Sequence, residues 1–146
     1  MYKVKLGNQY FAMKEIKLEN KVFEKIKDID ISKGNNIIGE IDICKDLDHP
    51  NIIRFYTAFL EKEKKSAYLV LELIEGINLA EYIFNLKEKN MNPKERDILR
   101  ILLDVICGLK YLHEEKRVLY RDVNPHNIML DNNFNVKLCD FGLAVK

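Results

Sequence analysis

Residues 120–144 read YRDVNPHNIMLDNNFNVKLCDFGLA, and they carry the most information about the structure of this chain. Two short apolar segments, at 127–130 and 136–139, lie on either side of a polar turn rich in Asn and Asp. Such a pattern predicts two strands joined in a hairpin. Because a hairpin brings the start of its first strand close to the end of its second, we expect Asn127 and Asp140 to lie together.

The polar residues of this stretch stand at the spacing of a known catalytic motif. Tyr-Arg-Asp at 120–122 is followed by Asn127, and Asp-Phe-Gly at 140–142 comes one short hairpin later. This order resembles the catalytic loop and the Asp-Phe-Gly motif of the eukaryotic protein kinases. The resemblance implies that Asp122 accepts the proton of a substrate hydroxyl. It also implies ATP and Mg²⁺ as cofactors, with Asn127 and Asp140 as the metal ligands.

Two upstream segments match further motifs of that family. Tyr-Phe-Ala-Met-Lys at 10–14 alternates like a half-buried strand and resembles the strand whose Lys contacts the nucleotide phosphates, which makes Lys14 that residue. The segment 40–52 resembles the αC helix and the loop that follows it. The resemblance implies that Glu40 points toward Lys14, the pair that sets the active geometry. The apolar positions at helical spacing that predict a sheet-facing side are Ile37, Ile41, Cys44 and Leu47.

The segment 71–76 resembles the hinge whose backbone binds the adenine edge in the family. On this resemblance Leu71 is the gatekeeper, Glu72 and Leu73 offer the hinge hydrogen bonds, and Asn78 lies near the ribose. The full set of residues that the resemblance assigns to the nucleotide is Ala12, Lys14, Leu71, Glu72, Leu73, Asn78 and Met129.

Hydrophobic patterning predicts an antiparallel sheet with one helix, followed by a mainly helical region. The predicted strands of the sheet are 2–6, 10–16, 53–59 and 67–73, and its helix is 36–46. The insert between Lys17 and Asn36 matches no element. Asn78 is expected to cap a short helix that ends near Lys87.

A longer helix is predicted from an Asn92-Pro93 cap to His113. Its expected core-facing stripe is Ile98, Leu102, Val105, Leu109 and Leu112. A stripe of this kind indicates packing, and we assign it no chemistry.

The resemblance covers the whole chain but only the middle of the family's domain. Residues 1–73 correspond to an N-lobe without the Gly-rich loop that covers the phosphates. Residues 74–146 correspond to the hinge, the first C-lobe helices, the catalytic loop and the Asp-Phe-Gly motif. We therefore expect a protein-kinase-like α+β fold that is truncated at both ends and inactive as an isolated chain. The helix over 92–113 should then keep an exposed apolar face, which a partner protein could cover.

Asn124 stands where serine/threonine kinases usually carry Lys, whose charge helps to stabilise the transferring phosphoryl group. Asn supplies a hydrogen bond without that charge, and we count it among the candidate catalytic residues. Three hypotheses remain open. The chain belongs to a serine/threonine kinase that transfers the γ-phosphoryl group of ATP to a protein hydroxyl, or it is a non-catalytic pseudokinase-like binding module, or it is a decayed gene product.

The composition is that of an intracellular globular domain, in the cytoplasm or nucleus. Hydrophobic residues make up 47% and charged residues 32%, with a formal net charge of +1. This balance disfavours nucleic acid as a partner, and no apolar run reaches membrane-spanning length. Three cysteines share no metal-ligand spacing and are expected to be reduced thiols. The protein substrate is not predicted.

Overall fold

The computed structural model describes residues 1–33 and 38–146. The chain forms two compact units, the first comprising Met1–Leu47 and Arg54–Leu73 and the second Asp48–Ile53 and Ile74–Lys146. A four-stranded sheet lies in the first unit and a three-stranded sheet in the second, each with helices of its own. The α+β class is therefore confirmed.

The sheet of the first unit is antiparallel, as predicted. Its strands are β1 (Tyr2–Leu6), β2 (Gln9–Lys17), β3 (Phe55–Glu61) and β4 (Ser66–Glu72), in the spatial order β1-β2-β4-β3. Gly7 in the turn after β1 has a φ of 59°, a conformation that glycine adopts without steric strain. β3 begins later than predicted because Ile53 belongs to the second unit, where its N–H donates to the carbonyl of Leu138.

A helix and a 3₁₀ turn occupy the insert after β2, where no element was predicted. Helix α1 spans Asn20–Ile26, and the 3₁₀ turn spans Ile31–Lys33. Phe23 and Ile26 are buried one helical turn apart, and Ile31 is also buried. The segment contains few apolar residues among many charged ones. Their helical periodicity is therefore too weak to be recognised in the sequence.

Helix α2 spans Gly39–Cys44 and lies within the helix predicted over 36–46. The start of that predicted helix, including Ile37, lies outside the described residues. The remaining members of the predicted sheet-facing stripe are all buried, namely Ile41, Cys44 and Leu47.

The second unit combines a short antiparallel sheet with two helices. Its elements are β5 (Gly76–Asn78), α3 (Leu79–Glu88), α4 (Glu95–Lys110), a π-helical turn (Tyr111–Glu115), a 3₁₀ turn (Pro125–Asn127), β6 (Ile128–Asp131) and β7 (Val136–Leu138). The strands lie in the order β5-β6-β7. The hairpin predicted at 127–139 is thus present as β6 and β7, with its ends shifted by one residue.

Strand β5 was not predicted, because it consists of only three residues directly after the hinge segment. Gly76 packs so closely on β6 that an added Cβ would lie 1.9 Å from the carbonyl oxygen of Leu130. Only glycine permits this approach of the two strands.

The segment 48–53 joins the second unit through backbone contacts with β7. Leu138 donates its N–H to the carbonyl of Asn51 at 2.8 Å, and the Asn51 side chain donates to the carbonyl of Val136 at 3.0 Å. Asn51 is buried, so these bonds satisfy polar groups that would otherwise be costly to bury.

Helix α4 begins later than predicted, and the cap assigned to Asn92 and Pro93 is wrong. Lys94 occupies the N-cap position, and its carbonyl accepts from the N–H groups of Asp97 and Ile98. No side chain caps this end. Acidic residues in the first turn interact favourably with the helix dipole instead.

The predicted core stripe of α4 is wrong at two of its five positions, because Ile98 and Leu102 are 42% and 51% exposed. The buried positions of α4, which contacts β7, are Ile101, Val105 and Gly108. Leu112 is also buried, in the π-helical turn that follows α4. A second apolar face of α4 is exposed and comprises Ile98, Leu99, Leu102, Leu103 and Ile106. Because the helix is apolar on two sides, spacing alone could not identify the buried one.

Across the described ranges, none of the helices is both long enough and apolar enough to cross a membrane. Among the described residues, Cys44, Cys107 and Cys139 are not joined by a disulfide.

Candidate active site

Lys14 and Glu40 form an ion pair within the first unit. Lys14 lies on β2, and its Nζ is 2.7 Å from Oε1 and 2.9 Å from Oε2 of Glu40 in the first turn of α2. The side chains are only 21% and 9% exposed, respectively. Solvent therefore screens this pair less than it would a surface pair. The contact expected from the resemblance is present, whereas its role in binding a nucleotide stays a prediction.

Strands β2 and β4 place the candidate adenine residues of the first unit side by side. Ala12 and Leu71 are direct cross-strand partners, and both are buried. Lys14 lies two residues along β2 from Ala12, so that the two side chains share one face of the sheet. Glu72 is tied to Arg54, donating its N–H to the Arg54 carbonyl at 2.8 Å and accepting the Arg54 N–H at its carboxylate. Leu73 follows β4 directly and is half-buried.

In the second unit, two amide side chains hold the carboxylate of Asp122. Asn124 donates through Nδ2 to Oδ1 of Asp122 at 2.8 Å, and Asn127 donates through Nδ2 to Oδ2 at 2.7 Å. The Asp122 side chain is half-buried. The structure thus brings three of the predicted catalytic and metal residues into one hydrogen-bonded cluster.

Asp140 lies beside Asn127, as the predicted hairpin requires. Ile128 and Leu138 are cross-strand partners, and Cys139 donates its N–H to the carbonyl of Asn127 at 2.8 Å. Asp140 follows with a φ of 60°, a left-handed conformation that Asp tolerates better than most residues, and its Oδ1 accepts the N–H of Gly142.

The donor chemistry at Asn127 and Asp140 suits a hard divalent cation. Asn127 turns its amide nitrogen toward Asp122, so its amide oxygen points away from that carboxylate. One amide oxygen and one carboxylate match the few protein ligands that Mg²⁺ takes when phosphates and water complete its shell. Within the described part of the chain, no group of three or more His, Cys, Asp or Glu side chains forms a self-sufficient metal site.

Contacts around Tyr120 and Arg121 hold the Asp140 segment against the loop that carries Asp122. Tyr120 donates its hydroxyl to the carbonyl of Cys139, and its ring packs 5.2 Å from that of Phe141, both side chains being buried. Arg121, at a φ of 63°, donates through Nε to the carbonyl of Leu143 at 2.7 Å. Sequence reasoning did not predict this contact, because no pattern in the sequence pairs an exposed Arg with a distant carbonyl.

Strands β5 and β6 bring together the remaining candidate nucleotide residues of the second unit. Asn78 and Met129 are direct cross-strand partners. The Oδ1 atom of Asn78 also accepts the N–H of Glu81 at 2.8 Å, which confirms the predicted cap of α3.

The turn between β6 and β7 is organised by Asp131. Its carboxylate accepts the backbone N–H groups of Asn133 and Asn135 and the side-chain amide of Asn135, each at 2.8 Å. Partial burial alone would raise the pKa of Asp131, but these hydrogen bonds, together with the charge of Arg100, outweigh it and hold the pKa below its usual value. The turn that presents Asn127 and Asp140 is therefore stabilised by an ionised carboxylate.

Comparison with known proteins adds an independent line of support. The family model of the protein kinase domain matches residues 1–146. The chain is 44% identical to human serine/threonine-protein kinase Nek10 over 147 residues, which cover 99% of the chain and 12% of that protein. It is 37% identical over 135 residues to serine/threonine-protein kinase D1044.8 of Caenorhabditis elegans, covering 91% of the chain and 13% of that protein.

A third relative, the MAP kinase kinase MKK1/SSP32 of Saccharomyces cerevisiae, is 34% identical over 142 residues, covering 97% of the chain and 26% of that protein. The chain therefore spans only a small part of the length of the relatives that it matches. The family match and the fold agree, and the chain belongs to the protein kinase domain family.

Proposed function

We propose that this chain supplies nucleotide-binding and phosphoryl-transfer residues of a serine/threonine-protein kinase, which transfers the γ-phosphoryl group of ATP to a protein hydroxyl. The observation that carries the proposal is the position of Asn127. Its side chain donates to the Asp122 carboxylate, and its carbonyl accepts the N–H of the residue before Asp140. One residue thus links the proposed base to the proposed metal ligand.

In the proposed reaction Asp122 acts as the base. The oxygen of the substrate hydroxyl forms a bond to the γ-phosphorus while the bond from that phosphorus to its bridging oxygen breaks, and ADP leaves with the electron pair. The hydroxyl proton passes to the Asp122 carboxylate. The half-buried position of Asp122 leaves it accessible to a substrate hydroxyl.

Separate groups are proposed to balance the charge on the phosphates. Bound Mg²⁺ would neutralise charge that develops on the phosphate oxygens. Asn127 and Asp140 are the residues proposed to hold it. Lys14 is proposed to contact the α and β phosphates, and Glu40 keeps its ammonium group in place through two hydrogen bonds. The pairing limits the conformations of Lys14, which reduces the entropy lost when a phosphate binds.

Contacts to the nucleoside are proposed separately for each unit. Residues 1–73 are proposed to act as the N-lobe and 74–146 as the hinge and C-lobe. In the first, Ala12 and Leu71 provide apolar surface to the base, and the backbones of Glu72 and Leu73 provide the hydrogen bonds. The proposed contacts of the second are Asn78 to the ribose and Met129 to the base.

An intracellular location, where ATP and reduced thiols coexist, is part of the same proposal.

A second candidate function is a non-catalytic binding module. It is favoured by Asn124, a neutral side chain at the position where the resemblance leads us to expect a cation. The exposed apolar face of α4 would be its binding surface. Mg²⁺-dependent phosphoryl transfer discriminates between the two functions, because a binding module requires neither the base nor the metal ligands.

The direct test is Asp122→Asn in the protein at the length found in its own cells, assayed with labelled ATP. The substitution keeps the shape of the side chain but removes its basicity, so we expect transfer to fall about a hundredfold or more. The matched control is Asp28→Asn, the same chemical change at an exposed ion pair in the first unit. Equal activity of both variants would reject Asp122 as the base, and an inactive wild type would favour the binding module.

A further inference from the structure

The side chain of Asn124 donates to Asp122 and accepts from the backbone of His126. We propose that Asn124 is a positioning residue that holds the Asp122 carboxylate in one orientation for proton transfer. The proposal rests on the proposed kinase function. In this proposal the neutral amide of Asn124 supports the reaction by orienting Asp122. Its presence is therefore not a sign that activity has been lost.

The two donors reach different oxygens of the carboxylate. Nδ2 of Asn124 lies 2.8 Å from Oδ1 of Asp122, and Nδ2 of Asn127 lies 2.7 Å from Oδ2. Both nitrogens also lie 3.3 Å from the backbone carbonyl of Asp122. Rotation of the carboxylate about its Cβ–Cγ bond would break both short bonds together. With both amides present its plane is fixed, and each oxygen keeps a second lone pair for a substrate hydroxyl.

The other end of the Asn124 amide is also held. Its Oδ1 accepts the backbone N–H of His126 at 3.0 Å and so caps the 3₁₀ turn of residues 125–127. A backbone N–H can only donate, so the amide oxygen must face His126 and the amide nitrogen must face Asp122. The orientation of the Asn124 side chain therefore follows from its partners.

The two bonds make different demands on the side chain at this position. The cap needs an acceptor, and the bond to Asp122 needs a donor. Lys could donate to Asp122 but cannot accept from His126. Asp is a good cap residue but would set a second carboxylate against Asp122. Asn124→Asp therefore keeps the cap, removes the positioning bond and sets a negative charge beside the Asp122 carboxylate.

The proposal predicts a loss in kcat and not in ATP binding. A carboxylate that is held by Asn127 alone and repelled by a second carboxylate spends less time in the orientation that accepts the proton. Small misplacements of catalytic groups can reduce rates about a hundredfold. For Asn124→Asp we expect kcat to fall about tenfold or more while the KM for ATP changes by less than about twofold.

The experiment compares wild type, Asn124→Asp, Asp122→Asn and the control Asn132→Asp, all in the protein at its native length. Asn132 is exposed in the turn after β6, so the control adds the same charge on the surface of the same unit. If Asn124→Asp keeps the kcat of the control while Asp122→Asn is inactive, the positioning role is overturned and the proposed function stands. If Asp122→Asn is fully active, the proposed function itself fails.

A second measurement covers the case in which Asn124→Asp unfolds. The double variant Asp122→Asn with Asn124→Asp restores an amide facing a carboxylate, with donor and acceptor exchanged. We expect its melting temperature to lie above the value obtained by adding the shifts of the two single variants. Additive shifts would mean that the two side chains do not interact and would overturn the proposal.

Discussion

The two units hold their charged groups by different means. In the first unit Lys14 is held by Glu40, a residue from another element, and the two are separated along the chain by α1 and the 3₁₀ turn at 31–33. In the second unit Asp122 is held by the neutral residues Asn124 and Asn127 of the same loop. The Lys14–Glu40 ion pair therefore depends on how different elements pack together. The hydrogen bonds to the Asp122 carboxylate depend only on which side chains its own loop carries.

This difference explains how each could be disturbed. A change in the packing of α2 would separate Glu40 from Lys14 without touching either residue. The 3₁₀ turn at 31–33 contacts both β3 and α2, so a change in this turn should affect the packing of α2. A change of similar size in the packing of the second unit, outside this loop, should leave the hydrogen bonds of Asp122 intact, because its partners lie in its own loop.

Among the variants that test this difference, Ile31→Ala should cost the most stability, because it disturbs the packing around α2. Ile31 is 2% exposed and lies in the turn that contacts β3 and α2. Removing its buried side chain should cost about 3 kcal/mol of unfolding free energy and weaken ATP binding through the Lys14–Glu40 pair. Denaturant unfolding measures the first effect and calorimetric titration the second.

The control for that variant is Ile29→Ala, the same change at a side chain that is 45% exposed. We expect it to cost less than about 1 kcal/mol. Equal losses in the two variants would show that the turn does not support α2.

Lys14→Met should have the next largest effect, because it leaves Glu40 mostly buried without its cation. We expect a loss of about 2 kcal/mol, below the cost of breaking a fully buried pair since Lys14 retains some exposure. ATP binding should weaken as well. Lys27→Met breaks the exposed pair with Glu24 and should change the stability little, because solvent screens that pair. Similar values for the two variants would place the Lys14 pair among weak surface contacts.

Asn78→Ala tests a local contact of the second unit. It removes the acceptor that caps α3 and should cost about 1 kcal/mol by thermal unfolding. Asn78→Asp keeps an acceptor at this position and should recover most of the loss. If both variants lose the same stability, the cap does not contribute.

Asp131→Asn has the smallest expected effect, and the effect depends on pH. The lowered pKa of Asp131 means that its contribution to stability is fully present above the ordinary Asp pKa of about 3.9 and is lost as the pH falls through the lower folded value. The stability difference between wild type and variant should therefore be constant above about pH 5 and shrink toward pH 3. A difference that is independent of pH across this range would contradict the assignment.

Features that depend on residues close together in the sequence could be predicted from the sequence. The hairpin of β6 and β7 and the cap at Asn78 are local. The contact between Lys14 and Glu40 is long-range. It could be predicted only because the order of motifs in the chain resembles that of a known family.

What the sequence did not predict depends on tertiary packing. Strand β5 exists because Gly76 allows a close approach to β6. Neither the sequence of β5 nor that of β6 shows by itself that the two strands pair. The buried face of α4 was assigned partly wrongly because Leu102 and Val105 belong to two apolar faces of one helix, and only the packed structure distinguishes them.

Calorimetric titration of ATP into the protein with and without Mg²⁺, for wild type, Lys14→Met and Asp140→Ala, measures whether these residues bind the nucleotide and the metal. We predict that Mg²⁺ strengthens ATP binding to wild type about tenfold or more, that Asp140→Ala abolishes this gain, and that Lys14→Met weakens binding under both conditions. Binding that is equally strong with and without Mg²⁺, or a gain from Mg²⁺ that survives in Asp140→Ala, would contradict the account.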